Sequence, residues 1–319
     1  MKNIKTNFDD VLISVTIPDY YISDQNVRLV IDLADQLDKE YKFWEVLIVA
    51  ESSGNEEYSN ILCNVGNVRI VQVKQYTDFY LKRSIGAMEA IGDIVVLTSI
   101  SEIGYVNIIE LINRVNETAS LVMIESSKRY LFDPILKLIG RIAGFRVSLK
   151  YWLTSAYPRS IIGQLVRQSQ SHIGLRFPPT HLEKPESIIS SSKYKRTHRS
   201  LFRRINLVQD LLFSAAPRLL SYIGSLCIIV LLCSIFYSIY AVVFWALFET
   251  VQEGWLTTSL VQTLGLGFIS IALFALSAGL KQLISSDSIN LYDHIVGETS
   301  SMEIYQKIKD DINVEKISS

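Results

Sequence analysis

The chain has 319 residues, with 31 Lys and Arg set against 32 Asp and Glu, so a formal net charge of −1 gives no overall basic field for nucleic acid. Its three cysteines, Cys63, Cys227 and Cys233, form neither a disulfide framework nor a zinc spacing, and the expectation is a reducing compartment. A hydrophobic share of 49% reads as two membrane spans averaged with an ordinary soluble domain.

Residues 1–10 are polar and charged, so they do not read as a signal peptide. From there, strand and helix signals alternate. Residues 11–17 are a β-rich run stopped by Pro18-Asp19, and 27–37 show helical spacing. Residues 44–50 are almost continuously apolar, as in a strand covered on both faces. A turn at 52–55, a short helix at 56–63 and a strand at 68–73 follow. A helix is predicted over 79–90, stopped by Gly92-Asp93, then a strand at 94–97, a helix at 106–115 and a strand at 121–124. This alternation predicts a doubly wound, mostly parallel α/β sheet. Ligands of such sheets sit at the carboxyl ends of the strands, here 18–21, 50–54, 75–78 and 98–102.

The pattern then changes. Residues 130–145 carry Leu131, Ile135, Leu138, Ile139 and Ile142 at helical spacing among Lys137, Arg141 and Arg146. Such a helix either lies in the membrane interface or packs on the sheet. Residues 160–166 suggest another helix, 187–192 a Ser-rich loop, and 200–213 an amphipathic helix that puts Arg203 and Arg204 at phosphate level.

Residues 219–248 and 254–280 contain no charged side chain, and each run exceeds the ~20 residues that a helix needs to cross ~30 Å of hydrocarbon. Lys184, Lys193, Lys195, Arg196, Arg199, Arg203, Arg204 and Arg218 precede the first run and Lys281 follows the second, whereas the link carries only Glu249 and Glu253. The positive-inside rule then places both termini in the cytoplasm and the link outside. The basic collar favours anionic or phosphate-bearing lipid as a partner over nucleic acid. Residues 302–312 read as a helical, solvated tail.

An ordered set of short motifs adds to this. Ser14-Val15-Thr16-Ile17-Pro18 matches an opening "SVVIP" strand, and Glu45-Val46-Leu47-Ile48-Val49 matches the strand of "YEIIFVDDGS". Gly86, Ala90, Gly92 and Asp93 match "aG..A.GD", and Ser192-Lys193-Tyr194 matches "G.SKY". Pro217-Arg218-Leu219-Leu220 matches a "PLRL" membrane entry, and Gly254 to Ser259 matches a "GWTS" start of a second span. No single piece is specific, but in this order the chain resembles the membrane-anchored family 2 glycosyltransferases of the polyprenyl-phosphate branch, which includes dolichol-phosphate mannose synthase and the bactoprenol glucosyltransferases. The resemblance implies a GT-A-like domain at 1–128, a membrane-proximal acceptor region at 129–218, two transmembrane helices at 219–284 and a cytoplasmic tail at 285–319. It also implies a nucleotide-sugar donor, a Mg or Mn ion held by a D-x-D pair, a polyprenyl-phosphate acceptor, a place in the inner membrane, and oligomers through the membrane-proximal helices.

The chain departs from that family where the donor binds. Thr98 and Ile100 occupy the two aspartate positions, "DDGS" becomes Ala50-Glu51-Ser52-Ser53, and "RNxG" falls on Gln75-Tyr76-Thr77-Asp78. Ile100 has no ligand atom and Thr98 is a poor ligand for a hard cation, so no metal cofactor is expected. Pro18, Asp19, Glu51, Thr98, Ile100 and Glu102 remain the candidate nucleotide-sugar pocket. Glu102 reads either as a displaced metal ligand or as a surface loop acid; Asp93 reads as an anchor at a strand entry; Asp19 and Asp78 share the same edge. Lys193, Tyr194, Arg199, Arg203, Arg204 and Arg218 are the candidate lipid-phosphate residues, with generic attraction to anionic lipid as the alternative. The expectation is a catalytically impaired relative that keeps fold, hairpin and basic collar and works with an active glycosyltransferase or a lipid carrier. The alternative is an active transferase with an atypical donor site.

Overall fold

The computed structural model describes residues 11–21, 23–52, 65–127, 133–168, 170–190, 201–248, 252–286 and 290–300, with backbone alone at 201–210, 212, 214, 285 and 286. The chain forms two compact units, 1–199 with 289–319, and 200–288. Each is taken by itself.

The first unit is built on an eight-stranded sheet of order β7-β5-β6-β4-β1-β2-β3-β8. Its strands are β1 (Leu12–Ile17), β2 (Phe43–Glu51), β3 (Val68–Val73), β4 (Ile94–Leu97), β5 (Val122–Ser126), β6 (Tyr151–Pro158), β7 (Glu186–Ser190) and β8 (Ile295–Ser300). β4, β1, β2 and β3 run parallel, and only β6 and β8 run against the rest. The mostly parallel, doubly wound sheet expected from the alternation is therefore what forms. Its central strands are apolar on both faces because helices cover both. On one face Ile13, Val15, Ile17, Val46 and Ile48 pack with Leu33 and Leu37 of α1 (Asp24–Glu40) and with Leu111 of α4 (Ile108–Thr118). On the other, Leu47, Val49, Val71 and Leu97 pack with Ile85 of α2 (Phe79–Glu89), with Ile162 of α6 (Arg159–Val166) and with Leu175, which follows α7 (Ser171–Gly174).

Local chemistry sets the helix starts. Ser23 caps α1 through Asn26 N–H, Asp78 caps α2 through Tyr80 N–H, and Asn107 caps α4 through Glu110 N–H. Two glycines of the "aG..A.GD" stretch are explained by close approach. A Cβ on Gly86 would lie 3.2 Å from Val49 and 3.3 Å from Thr16, and one on Gly92 would lie 2.6 Å from Ser14 N. Gly86 thus lets α2 settle on the sheet.

Three strands differ from the expectation. β6 was not anticipated; β7 occupies the stretch read as a loop; β8 lies in the stretch read as a tail. Residues 56–63 and 302–312 fall outside the described residues.

A charge network, buried at Arg69 and Glu45 and open to solvent at Glu298, holds β8 at the far edge. Arg69 on β3 pairs with Glu45 at 3.0 Å and with Glu298 on β8 at 2.8 Å. Glu45 also accepts from Ser14 Oγ at 2.5 Å and Ile91 N–H at 2.9 Å. Ser14 Oγ in turn accepts from Gly92 N–H at 2.7 Å. Asp93 accepts from Leu12 N–H at 3.1 Å and so anchors the strand entry. All of these sit at the amino ends of the parallel strands, away from the ligand edge.

Beside the sheet, α5 (Asp133–Ala143) turns Ile135, Leu138 and Ile142 outward, with Leu138 60% exposed. Packing on the sheet would have covered them.

The second unit consists of α8 (Leu201–Leu247) and α9 (Trp255–Ser286). The amphipathic stretch at 200–213 and the first apolar run are one helix, continuous through Pro217. Segments Ala215–Leu247 and Trp255–Ile284, with mean hydropathies of 2.6 and 2.0, are long and apolar enough to cross a membrane. They meet along small and hydroxyl side chains. Ser234 Oγ donates to Thr263 O at 2.5 Å, Ser238 Oγ donates to Thr263 Oγ1 at 3.0 Å, and Gly267 lies against Leu231.

Candidate active site

The carboxyl ends of β1, β2 and β4 bring the sequence-predicted donor residues to one edge, but each is held for a different reason. Pro18 is buried directly after β1. Asp19 accepts from Ser99 Oγ at 2.5 Å and from Ile100 N–H at 2.9 Å. It thereby starts α3 (Ile100–Ile103), which its own N-cap residue, Ser99, does not cap through its side chain.

Thr98 and Glu102 are tied together from the inside. Thr154 on β6 donates its hydroxyl to Glu102 Oε2 at 2.8 Å, and Glu102 also accepts the N–H groups of Thr154 at 2.8 Å and Leu153 at 3.2 Å. Glu102 is only 2% exposed. It is neither a surface loop acid nor turned toward a metal; it is a buried acceptor that ties the α3 turn to β6. Thr98 Oγ1 lies 2.9 Å from Thr154 Oγ1. The Ile100 side chain, 5% exposed, belongs to the core. A divalent ion wants several oxygen ligands facing one point. The two positions that a D-x-D pair would fill present a committed hydroxyl and an isoleucine, so these residues do not fit the ion.

Glu51 ends β2 and pairs with Lys82 Nζ at 2.7 Å. That hydrogen bond outweighs the cost of burial and holds the Glu51 carboxyl below the ordinary carboxylate value, helped by Tyr76 N–H. Asp78 serves as the α2 cap.

Sequence reasoning missed Arg83. It lies on α2, is 1% exposed, and donates through Nη2 to Ser155 Oγ at 2.7 Å. Among the described residues its Nε and Nη1 meet no acceptor. Ser155 pairs across the sheet with Leu97, the last residue of β4, so the Arg83–Ser155 bond lies on the face that carries Leu97, opposite the one toward which Thr98 and Thr154 point. No local signal marks it, since a lone arginine in a predicted helix reads as solvated.

Of the lipid-phosphate candidates, Lys193, Tyr194 and Arg199 lie outside the described residues. Arg203 and Arg204 lie on α8 in its backbone-only part, and Arg218 is an exposed residue of the same helix.

No protein-family model and no curated protein matches the chain. Among solved structures it is similar to 4-diphosphocytidyl-2C-methyl-D-erythritol synthase of Anaerococcus prevotii, with a TM-score of 0.41, 13% identity, and 65% of this chain and 95% of that one covered. It is likewise similar to glucosyl-3-phosphoglycerate synthase of Mycobacterium tuberculosis, with a TM-score of 0.41, 16% identity, and coverage of 66% and 81%. The same synthase with Mn2+, UDP-glucose and glycerol 3-phosphate gives a TM-score of 0.41 at 15% identity, with coverage of 66% and 80%. Likeness at this level decides nothing about activity.

Proposed function

We propose that this chain is a membrane-anchored, family 2-like glycosyltransferase of the polyprenyl-phosphate type that has lost metal-dependent transfer. On this reading it acts as a platform for an active glycosyltransferase or for the lipid carrier, in homo- or hetero-oligomers, with both termini in the cytoplasm. The carrying observation is that Thr98 and Ile100 are turned into the protein, toward Thr154 and the core. A departing nucleotide diphosphate needs its charge neutralised, and the usual device is a metal held by carboxylates. Support for the membrane setting comes from the two apolar helices, the basic residues before them and the outward apolar face of α5.

A second reading is an active transferase with a metal-free donor site. Lys82 favours it, because its ammonium, held by Glu51 at the end of β2, is a cation beside that edge and would supply part of the charge that a metal brings.

The test is transfer of radiolabelled sugar from a panel of nucleotide-sugars to undecaprenyl phosphate by the pure reconstituted protein, with Mn2+ and with EDTA. The platform reading expects no transfer in either condition. Transfer in EDTA would replace it with the second reading, and transfer that requires Mn2+ would remove both.

A further inference from the structure

We infer that the open edge of β7 and the flank of α4 form a docking groove for an extended, basic peptide segment of a partner protein, which adds to the sheet as a further strand. β7 ends the sheet beyond β5 and β6, so the groove stands apart from the carboxyl ends of β1, β2 and β4 and does not depend on what binds there.

β7 is paired on one side only, by β5. Glu186 N–H donates to the Leu121 carbonyl, so in this parallel pair the peptide groups of Glu186 and Ile188 face β5 and those of Ser187 and Ile189 face outward. Among the described residues no strand takes these outward groups. An open edge is usually blunted by lysine, proline or a bulge. β7 has none of these, and its Ile189 is 70% exposed.

Beside that edge, α4 and β7 enclose a groove of about 520 Å³, within the range of ligand clefts. α4, with 11 residues, and β7, with 5, each run about 16 Å, the length of a five-residue strand. Charge selects the occupant. Glu110, Glu117 and Glu186 line the groove against Arg114, three carboxylates to one guanidinium, a formal −2. Arg114 is spent on Glu186, 2.8 Å from its Nε, and on Glu117. Among the described residues Glu110 has no ion pair, and Glu186 Oε2 is buried without a donor. A second copy would bring the same excess of carboxylate to this edge, and like charges repel, whereas a strand bearing Lys or Arg answers it. The register places Glu186 and Ile188 on the α4 face of the sheet and Ser187 and Ile189 on the other. Side chains alternate along a strand, so the segment presents basic residues on the α4 side and β-branched residues beside Ile189.

The experiment uses the full chain in phosphatidylcholine nanodiscs and reads binding by fluorescence anisotropy. The probe is a labelled peptide of about eight residues that alternates Lys and Val, long enough to span β7. The controls replace Lys by Glu, or carry N-methyl groups on every Lys or on every Val. Wild type is expected to bind the Lys–Val peptide saturably, with Kd below about 1 mM, and to reject the Glu–Val peptide. One N-methyl set should abolish binding and the other leave it, because only alternate peptide groups of an added strand face β7. Ser187→Pro removes an outward N–H that has no partner within the sheet, and should lose about tenfold in affinity while unfolding at the wild-type temperature. Should Ser187→Pro fail to fold, Glu110→Lys, at an exposed position of α4, carries the test with about a fivefold loss. No saturable binding by wild type, equal binding of the Glu–Val peptide, indifference to both N-methyl sets, or unchanged affinity in the variants overturns the inference. Dimerisation of the free chain that Ser187→Pro abolishes would give the edge to a second copy. Absent binding, together with early unfolding of Ser187→Pro, would give it to the chain itself. Either result overturns the inference as well.

Discussion

Thr98 donates its hydroxyl proton to Thr154, 2.9 Å away, because Thr154 spends its own on Glu102. The direction of this relay follows from counting protons, one per hydroxyl. It explains why position 98 has no lone donor to spare for a ligand at the strand ends. The side chain that a metal site would aim outward is aimed inward, and β6 receives it.

Restoring two aspartates should therefore fail to restore a site. In Thr98→Asp with Ile100→Asp, the second carboxylate enters an apolar core position, and the first meets Thr154 and Glu102. We expect a loss of about 3 kcal/mol or more in stability. Thermal unfolding checks this, with no upward shift expected on adding Mn2+. A stable double variant that Mn2+ stabilises further would show that the positions do face a common point.

Arg69 is the corresponding test at the opposite end of the strands. Arg69→Ala leaves Glu45 fully buried and uncompensated, with Ser14 and Ile91 still pointing at it. The expected cost is about 3–5 kcal/mol. The same change frees Glu298 on β8, so hydrogen exchange at 295–300 should rise more than at β1. Uniform exchange would mean that β8 is held by its backbone ladder alone.

The central strands were legible because a sequence can show only what a run of side chains shows. β2 reads as apolar on both faces and is. β6 mixes Thr154, Ser155 and Tyr157 with apolar residues and ends at Pro158, so nothing in its period announces a strand. Its hydroxyls bond partners far along the chain: Tyr157 donates to the Leu175 carbonyl and Thr154 to Glu102, while Ser155 accepts from Arg83. β8 pairs with a strand more than two hundred residues earlier, a contact that no local pattern encodes. Arg83 was hidden for a related reason: a lone arginine on a helix looks solvated until the helix is seated on its sheet. The stretch at 200–213 and the apolar run from 219 read as separate segments, yet α8 runs through Pro217 between them, with Ser221 Oγ donating to the Pro217 carbonyl at 3.0 Å.

The Glu51–Lys82 pair sets a small acid dependence. Lys82 holds the Glu51 carboxyl below its ordinary value of about 4.3. The pair's stabilisation is thus fully present above that value and is lost as pH falls through the lowered one. With Glu51 38% exposed, solvent screening keeps the effect below about 1 kcal/mol. Denaturation midpoints of wild type and Glu51→Gln should differ at pH 7 and converge well below pH 4. A gap that widens on acidification would contradict the pairing.

The outward face of α5 tests the membrane setting. A spin label at Leu138→Cys, in a background with the three native cysteines replaced by serine, should be more accessible to oxygen than to a water-soluble nickel chelate in reconstituted vesicles. The same label at Lys137→Cys should show the smaller preference. Equal accessibility to the chelate at both positions would place α5 in water.

The most direct measurement of the central claim is manganese binding at the carboxyl edge. Electron paramagnetic resonance of the full chain with Mn2+ and each nucleoside diphosphate reports free and protein-bound ion separately. The account predicts that Mn2+ stays free, or bound to nucleotide alone, whether or not the nucleotide binds. A ternary complex of protein, Mn2+ and nucleoside diphosphate would contradict it.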